Sequence, residues 1–462
     1  MEEIMIRLVG ILFLAALPLA LMMADEKESK IFPYPINQVT LDNGLKIVSI
    51  PFDSPGIIAY YTVVRTGSRN EIEPGKSGFA HFFEHMMFRG TEKYSKDKYN
   101  DILKSIGADN NAFTADDQTV YHVLASADAL ETIMDIESDR FMNLRYSEED
   151  FKTEAGAILG EYNKNFSNPF LTIHEKIRDE AYTQHTYKHT TMGFLKDIQD
   201  MPNQYEYSLT FFDRWYRPEN CIVVVVGDFN RVKLIELVKK YYGNWKRGSY
   251  TLNVPIEPQQ KEEKVIDLPW KAKTLPILTI AYHAPAFSDK DIDMPALSLL
   301  AQVAFSQTSD LYKKLVIEEQ VVEFVEGELE ENRDPGLFYV YTRIKDSKDI
   351  TKVRDAIYSA IENAKTTPVS DERLAAIKSY LKYQFAMSLN NPDAVASGIS
   401  HYIQLTGDPE SVNRLYALYD RLTPKDIMMV AKKYLTSTSR TVVMLIHKEE
   451  PSQHQKAEEV KQ

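Results

Sequence analysis

Apolar and polar residues fall into short alternating runs over residues 39–65, and these runs predict strands. Val39–Leu41 and Leu45–Ile50 flank Asp42-Asn43-Gly44, a turn sequence between two apolar runs. Ile57–Arg65 predicts a further strand. Residues 76–89 predict a helix after a Gly-Lys-Ser start. Helix and strand candidates then alternate up to Ile222–Val226, a continuous apolar run that reads as a buried strand and ends in Gly227-Asp228. Thr251–Lys264 breaks the pattern. It holds Pro255, Pro258, two glutamines and a run of charges without periodicity, as a linker does.

From Val265 the pattern repeats. Leu278–Pro285 predicts a strand and Met294–Leu315 a helix. Glu323–Lys345 predicts a hairpin around Asp334-Pro335-Gly336. Val353–Ala364 and Asp371–Met387 predict amphipathic helices, and Thr441–His447 a last strand. Two mixed halves of similar size point to a duplicated α+β unit. The expected organisation is a first unit at 30–250, a linker at 251–264, a second unit at 265–448 and a polar tail at 449–462.

Composition narrows the functional classes. The chain has 462 residues, long enough for at least two domains. Hydrophobic residues make up 44% and charged residues 26%, the balance of a soluble globular protein. A net charge of −13 argues against nucleic acid as a partner, because phosphates need lysine and arginine to neutralise them. The single cysteine, Cys221, rules out an intramolecular disulfide and reads as a small buried hydrophobe. Leu8–Met23 is an uncharged apolar run after Arg7, and residues 1–24 read as a signal peptide or N-terminal anchor. Export, with the bacterial periplasm as destination, is the expectation.

The chemistry concentrates in His81-Phe82-Phe83-Glu84-His85. Histidines four apart on a helix share one face and can reach one metal ion. Glu84 lies on the same arc, where it can act as a general base. His-x-x-Glu-His reverses the common His-Glu-x-x-His zinc spacing. Zinc in a catalytic site takes three protein ligands and leaves one position open. Glu161 is a candidate third ligand. Glu154, two helical turns earlier on the same face, is a candidate for orienting a histidine or shuttling protons.

These residues resemble those of the pitrilysin-type (inverzincin, M16) zinc peptidases. The likeness runs from Tyr34 to about His447. It is carried by Leu41–Ile47, Gly67-Ser68, Gly78–Thr91, the Glu154/Glu161 pair, Tyr216–Asn220 and Val226–Asp228, with Glu161 76 residues after His85. The resemblance implies two homologous α/β-roll halves, each a mostly antiparallel sheet covered by helices, that form half of a clamshell chamber. It implies one Zn2+ held by His81, His85 and Glu161, with Glu84 as base and Glu154 in support. Asn110–Thr114 matches the family's edge strand, so Asn111, Ala112 and Phe113 are expected to bind an extended peptide by backbone pairing.

One segment departs from the family pattern. Active members use an Arg and a Tyr in the second half, against the substrate and the developing oxyanion. Here those positions hold Val316 and Glu323, and the turn before them reads Phe305–Asp310. The expected remedy is a heterodimer with a homologous subunit that lacks the zinc motif but carries Arg and Tyr. A homodimer or lone active chain is the alternative, with Tyr339, Tyr341 and Arg343 as possible substitutes. A non-catalytic scaffold or peptide-binding subunit is a third reading.

Overall fold

The structure, a computed structural model, describes residues 30–448. The signal or anchor expected at 1–24 and the tail at 449–462 lie outside the described residues.

Two sheets organise the chain. The first contains β1 (Asn37–Thr40), β2 (Lys46–Pro51), β3 (Ile57–Val64), β4 (Asp109–Thr114), β5 (Thr119–Ser126) and β6 (Cys221–Gly227). Their order is β1-β2-β6-β3-β5-β4, which leaves β4 at an edge. The second contains β7 (Lys264–Trp270), β8 (Ile277–His283), β9 (Val322–Leu329), β10 (Leu337–Ile344) and β11 (Arg440–His447). Its order is β7-β11-β8-β10-β9. The two orders superpose if β2, β6, β3, β5 and β4 are matched to β7, β11, β8, β10 and β9. In both sheets one pair is parallel, β2 with β6 and β7 with β11, and the other neighbours are antiparallel. This is the duplicated, mostly antiparallel α+β architecture expected from the sequence.

Strand periodicity sends alternate residues to opposite faces. On the first sheet Ile47, Tyr60, Tyr121, Val123, Val223 and Val225 pack under α1 (Phe79–Met86), α3 (Leu130–Asn143) and α4 (Glu148–Asn165), with α2 (Lys96–Ser105) at one side. Val48, Tyr61, Val63, Val120, Val224 and Val226 face the other way, into a core shared with the second half. Burial on both faces explains why Ile222–Val226 carries no polar residue.

Each half lends a helix to the other. The helix Pro392–Thr406, from the second half, lies on β3 and β6. In return α5 (Pro169–Ala181) packs Ile173, Ile177 and Ala181 on Ala281, Leu337, Val443 and Leu445 of the second sheet.

The helix expected at 294–315 is broken. Asp293–Phe305 is helical, Ser306 turns extended, and Ser309 caps a short new turn by accepting from Tyr312 N at 3.1 Å. The hydroxyl-rich Ser306-Gln-Thr-Ser309 favours capping over continuation. A π-helical stretch, Lys313–Glu318, follows.

Candidate metallopeptidase site

Helix α1 is built to bury one stripe and present another. Phe79, Phe82, Phe83 and Met86, at helical spacing, are buried in the first core. His81, Glu84 and His85 occupy the opposing arc. Its N-terminus is fixed by Gly78, whose φ is +93°. A Cβ there would meet Ile198 Cδ1 at 2.4 Å and Met192 O at 2.9 Å, so only glycine fits. The buried Glu71 carboxylate accepts from Gly78 N at 2.7 Å and Ala80 N at 2.6 Å, satisfying donors that a helix start leaves open.

Helix α4 crosses α1 with its own two carboxylates. Ser147 and Asp150 form a capping box at its start. Glu154 lies among Phe151, Ala155 and Ile158 on the buried face, and Glu161 emerges two turns later, partly exposed.

Donor atoms of His81, His85 and Glu161 all lie within 4.8 Å of one another. Glu161 Oε2 is 3.7 Å from His81 Nε2 and 3.5 Å from His85 Nε2. Those distances are long for hydrogen bonds. They approach the edge of a tetrahedron with metal–ligand bonds of about 2.0–2.1 Å, roughly 3.3–3.4 Å. Two imidazoles and one carboxylate are a donor set that zinc takes in catalytic sites, so the residues fit that ion.

The surroundings orient these donors. His85 Nδ1 is 2.9 Å from Glu154 Oε1, which leaves Nε2 facing Glu161. Arg89 donates to the other Glu154 oxygen, from Nε at 2.7 Å and also from Nη2. Burial pushes the Glu154 carboxyl up, but the hydrogen bonds from His85 and Arg89 outweigh it and hold it at about 2. The hydrogen bond to Glu154 raises His85. Burial, with the His85 ring adding to it, lowers His81 to about 4, so this imidazole is neutral and available as a ligand at neutral pH. Its Nδ1 is buried with no partner among the described residues.

Glu84 accepts from Thr114 Oγ1 at 2.7 Å. Burial raises its carboxyl and the Thr114 hydrogen bond opposes that shift. Thr114 ends β4, so the candidate base touches the edge strand directly. Along β4, Asn111 stands opposite His122, Ala112 opposite Tyr121 and Phe113 opposite Val120. Ala112 is buried, whereas Phe113 is 39% exposed.

The two positions that depart from the family pattern lie in the second half, Val316 in the π-helical stretch and Glu323 on β9. The three possible substitutes are on β10 and are engaged there. Tyr339 donates to Glu330 at 3.1 Å, Tyr341 to Glu326 at 3.0 Å, and Arg343 to Glu323 at 3.2 Å. None of their hydrogen bonds or ring contacts among the described residues reaches His81, Glu84, His85 or Glu161.

Comparison with known proteins identifies the family. The family described as Insulinase (Peptidase family M16) matches residues 58–194, and the Peptidase M16 inactive domain matches residues 204–381. The chain belongs to the M16 peptidase family. It is similar to a zinc protease, PqqE, of Helicobacter pylori, with 27% identity over 413 residues covering 88% of this chain and 92% of that one. A crystal structure of a protease from Helicobacter pylori has a TM-score of 0.83 at 27% identity, covering 89% of this chain and 99% of that one. The periplasmic protease PqqL of Escherichia coli shares the fold, with a TM-score of 0.72 at 19% identity over 89% of this chain. That protein is longer, and the match spans 47% of it.

Arg89 and Thr114 are the site residues whose roles the sequence did not reveal. Arg89 lies three residues past the end of α1, in the bend that follows it, and a lone arginine there carries no recognisable spacing. Thr114 was visible only as the end of the edge-strand motif.

Proposed function

We propose that this M16 chain is a zinc-dependent endopeptidase acting on oligopeptides or unfolded segments. The observation that supports it best is the convergence of His81, His85 and Glu161 within 4.8 Å, with Glu84 on the same helical arc. In this reading residues 30–250 carry one Zn2+ and residues 265–448 form the homologous second unit.

Bound zinc would supply a Lewis acid for the scissile carbonyl and acidify a water. Glu84 accepts the proton of the attacking water and returns it to the leaving amine. Thr114 keeps that carboxylate aimed along β4. The peptide adds as a strand to β4, backbone to backbone, with Asn111, Ala112 and Phe113 lining it. Glu154 fixes the His85 ring, itself held by Arg89.

The oxyanion donors are proposed to come from a homologous subunit. Val316 and Glu323 cannot donate to an anion, and Tyr339, Tyr341 and Arg343 are occupied by carboxylates. The relative twice this length fits the same idea, since its single chain has room for a second such unit. Two arms of a clamshell would then close on the peptide. A periplasmic location is proposed from the apolar run at 8–23 and from the periplasmic relative; no helix among the described residues is long and apolar enough to cross a membrane.

The match of residues 204–381 to an inactive domain favours one competing reading, a scaffold or peptide-binding subunit. The test is hydrolysis of a quenched oligopeptide by the zinc-loaded protein, alone and after co-expression with a homologous chain that carries Arg and Tyr but lacks the zinc motif. Activity only in the mixture, abolished by Glu84→Gln, supports the split site. Full activity of the single chain removes the partner. No stoichiometric zinc, and no activity in either arm, leaves the scaffold.

A further inference from the structure

The face of the first sheet opposite α1 carries a second set of chemical groups in line with the edge strand. Tyr61 on β3 is opposite His122 on β5, and His122 is opposite Asn111 on β4. Side chains in one such row share a face. The rings of Tyr61 and His122 stack at 5.0 Å with planes 26° apart. Asp393, in the first turn of the helix lent by the second half, sits over this row. Its Oδ1 accepts from the Tyr61 hydroxyl at 2.8 Å and lies 3.9 Å from His122 Nδ1. Burial pushes the Tyr61 hydroxyl far up, so it remains a donor and holds the carboxylate in place.

The titratable ring that stands against this carboxylate is His122. The Asp393 side chain is 41% exposed, and among the described residues it forms no ion pair with lysine or arginine. Asp109 begins β4 on the same face as Asn111, is exposed, and likewise has no cationic partner among the described residues. The next row along the same face is apolar and reads Val63, Val120, Phe113.

A peptide strand added to β4 continues both rows outward by one strand spacing, about 4.8 Å. One of its side chains then falls beside Phe113, and the one two residues away falls beside Asn111. A short side chain there ends at Asn111. A long cationic one lies across Asn111 toward His122 and Asp393, with Asp109 flanking it. We infer that Tyr61, His122 and Asp393 form a specificity subsite for a lysine or arginine side chain, placed two residues from an apolar side chain on the bound peptide. The inference rests on the reading of β4 as the peptide-binding strand. Asp393 supplies the charge, His122 is the polar wall, and Tyr61 is a positioning residue. Because Asp393 comes from the second half, the subsite makes peptide choice depend on how the halves are joined.

The test uses zinc-loaded, full-length Glu84→Gln protein, so that binding is read without turnover. Fluorescent ten-residue unstructured peptides carry Lys, Ala or Glu at each position in turn, and affinity is measured by anisotropy. At one position, two residues from a position that prefers an apolar side chain, Lys is expected to bind about tenfold more tightly than Glu. Adding Asp393→Asn, which preserves size, is expected to bring that ratio within about twofold while leaving the Ala peptides unchanged. His122→Gln and Tyr61→Phe are expected to reduce it in part. A ratio unaltered by Asp393→Asn, or no Lys preference at any position, overturns the subsite while leaving β4 as the binding strand. Failure of every peptide to bind overturns the edge-strand reading, and the subsite with it.

Discussion

Glu154 holds the His85 ring by a 2.9 Å contact to Nδ1 while its second oxygen is occupied by Arg89. The His85 nitrogen that faces Glu161 is therefore set by a residue from another helix, itself held by Arg89, three residues past the end of α1. Glu154→Gln should keep the fold and weaken zinc binding about 10–100-fold. Arg89→Ala should produce a smaller loss in the same direction. Zinc titration against a competing chelator checks both, and unchanged affinity in Glu154→Gln would remove Glu154 from the site.

Ligand and base separate in two further variants. Glu161→Ala should lose stoichiometric zinc. Glu84→Gln should retain it and lower kcat about 10²–10⁴-fold. Metal analysis of purified protein together with steady-state kinetics distinguishes the two. A Glu161→Ala protein with full zinc would require another third ligand.

Thr114 opposes the upward push of burial on Glu84. In Thr114→Val the carboxyl should rise further, so that a higher pH is needed to keep the base ionised. The acid limb of the kcat/KM profile should move to higher pH, with zinc content unchanged. A limb that stays in place would mean that Glu84 is not the group it reports.

Acid stability follows from the Glu154 and His85 pair in the zinc-free protein. Glu154 is depressed, so its contribution is complete above its ordinary value near 4.5 and is lost as pH falls through about 2. His85 is raised, so its contribution is complete below its ordinary value near 6.5 and is lost as pH rises through the folded value. The stability gap between wild type and Glu154→Gln in urea should therefore be widest between those two ordinary values. It should narrow as pH approaches 3. A gap independent of pH would deny the pair any role in stability.

Gly78→Ala should destabilise the chain by about 1–3 kcal/mol, since φ is +93° and the added carbon meets Met192 O at 2.9 Å. A lower urea midpoint at unchanged slope is the expected result. No change would mean that α1 can start elsewhere without cost.

Legibility in the sequence tracked the range of the interaction. The arc of His81, Glu84 and His85 is local helical geometry, and the spacing of Glu154 and Glu161 is likewise one helix. Both could be read from residue numbers. The edge position of β4 came through resemblance alone. Strand order was not readable, because the placement of β6 between β2 and β3 depends on contacts more than a hundred residues apart in the chain. The break after Phe305 was present in the hydroxyls of Ser306, Thr308 and Ser309, but the apolar spacing on either side masked it. Arg89 becomes a site residue only once α4 is brought against α1.

The exchanged helices give the connector an unexpected freedom. Pro392–Thr406 is embedded in one half and α5 in the other, so the halves are clasped and not merely tethered. A protease that cut the chain between residues 251 and 263 would leave a nicked molecule that stays together. An isolated 30–250 fragment, by contrast, would bare the apolar underside of β3 and β6 to water, and its fate would be aggregation.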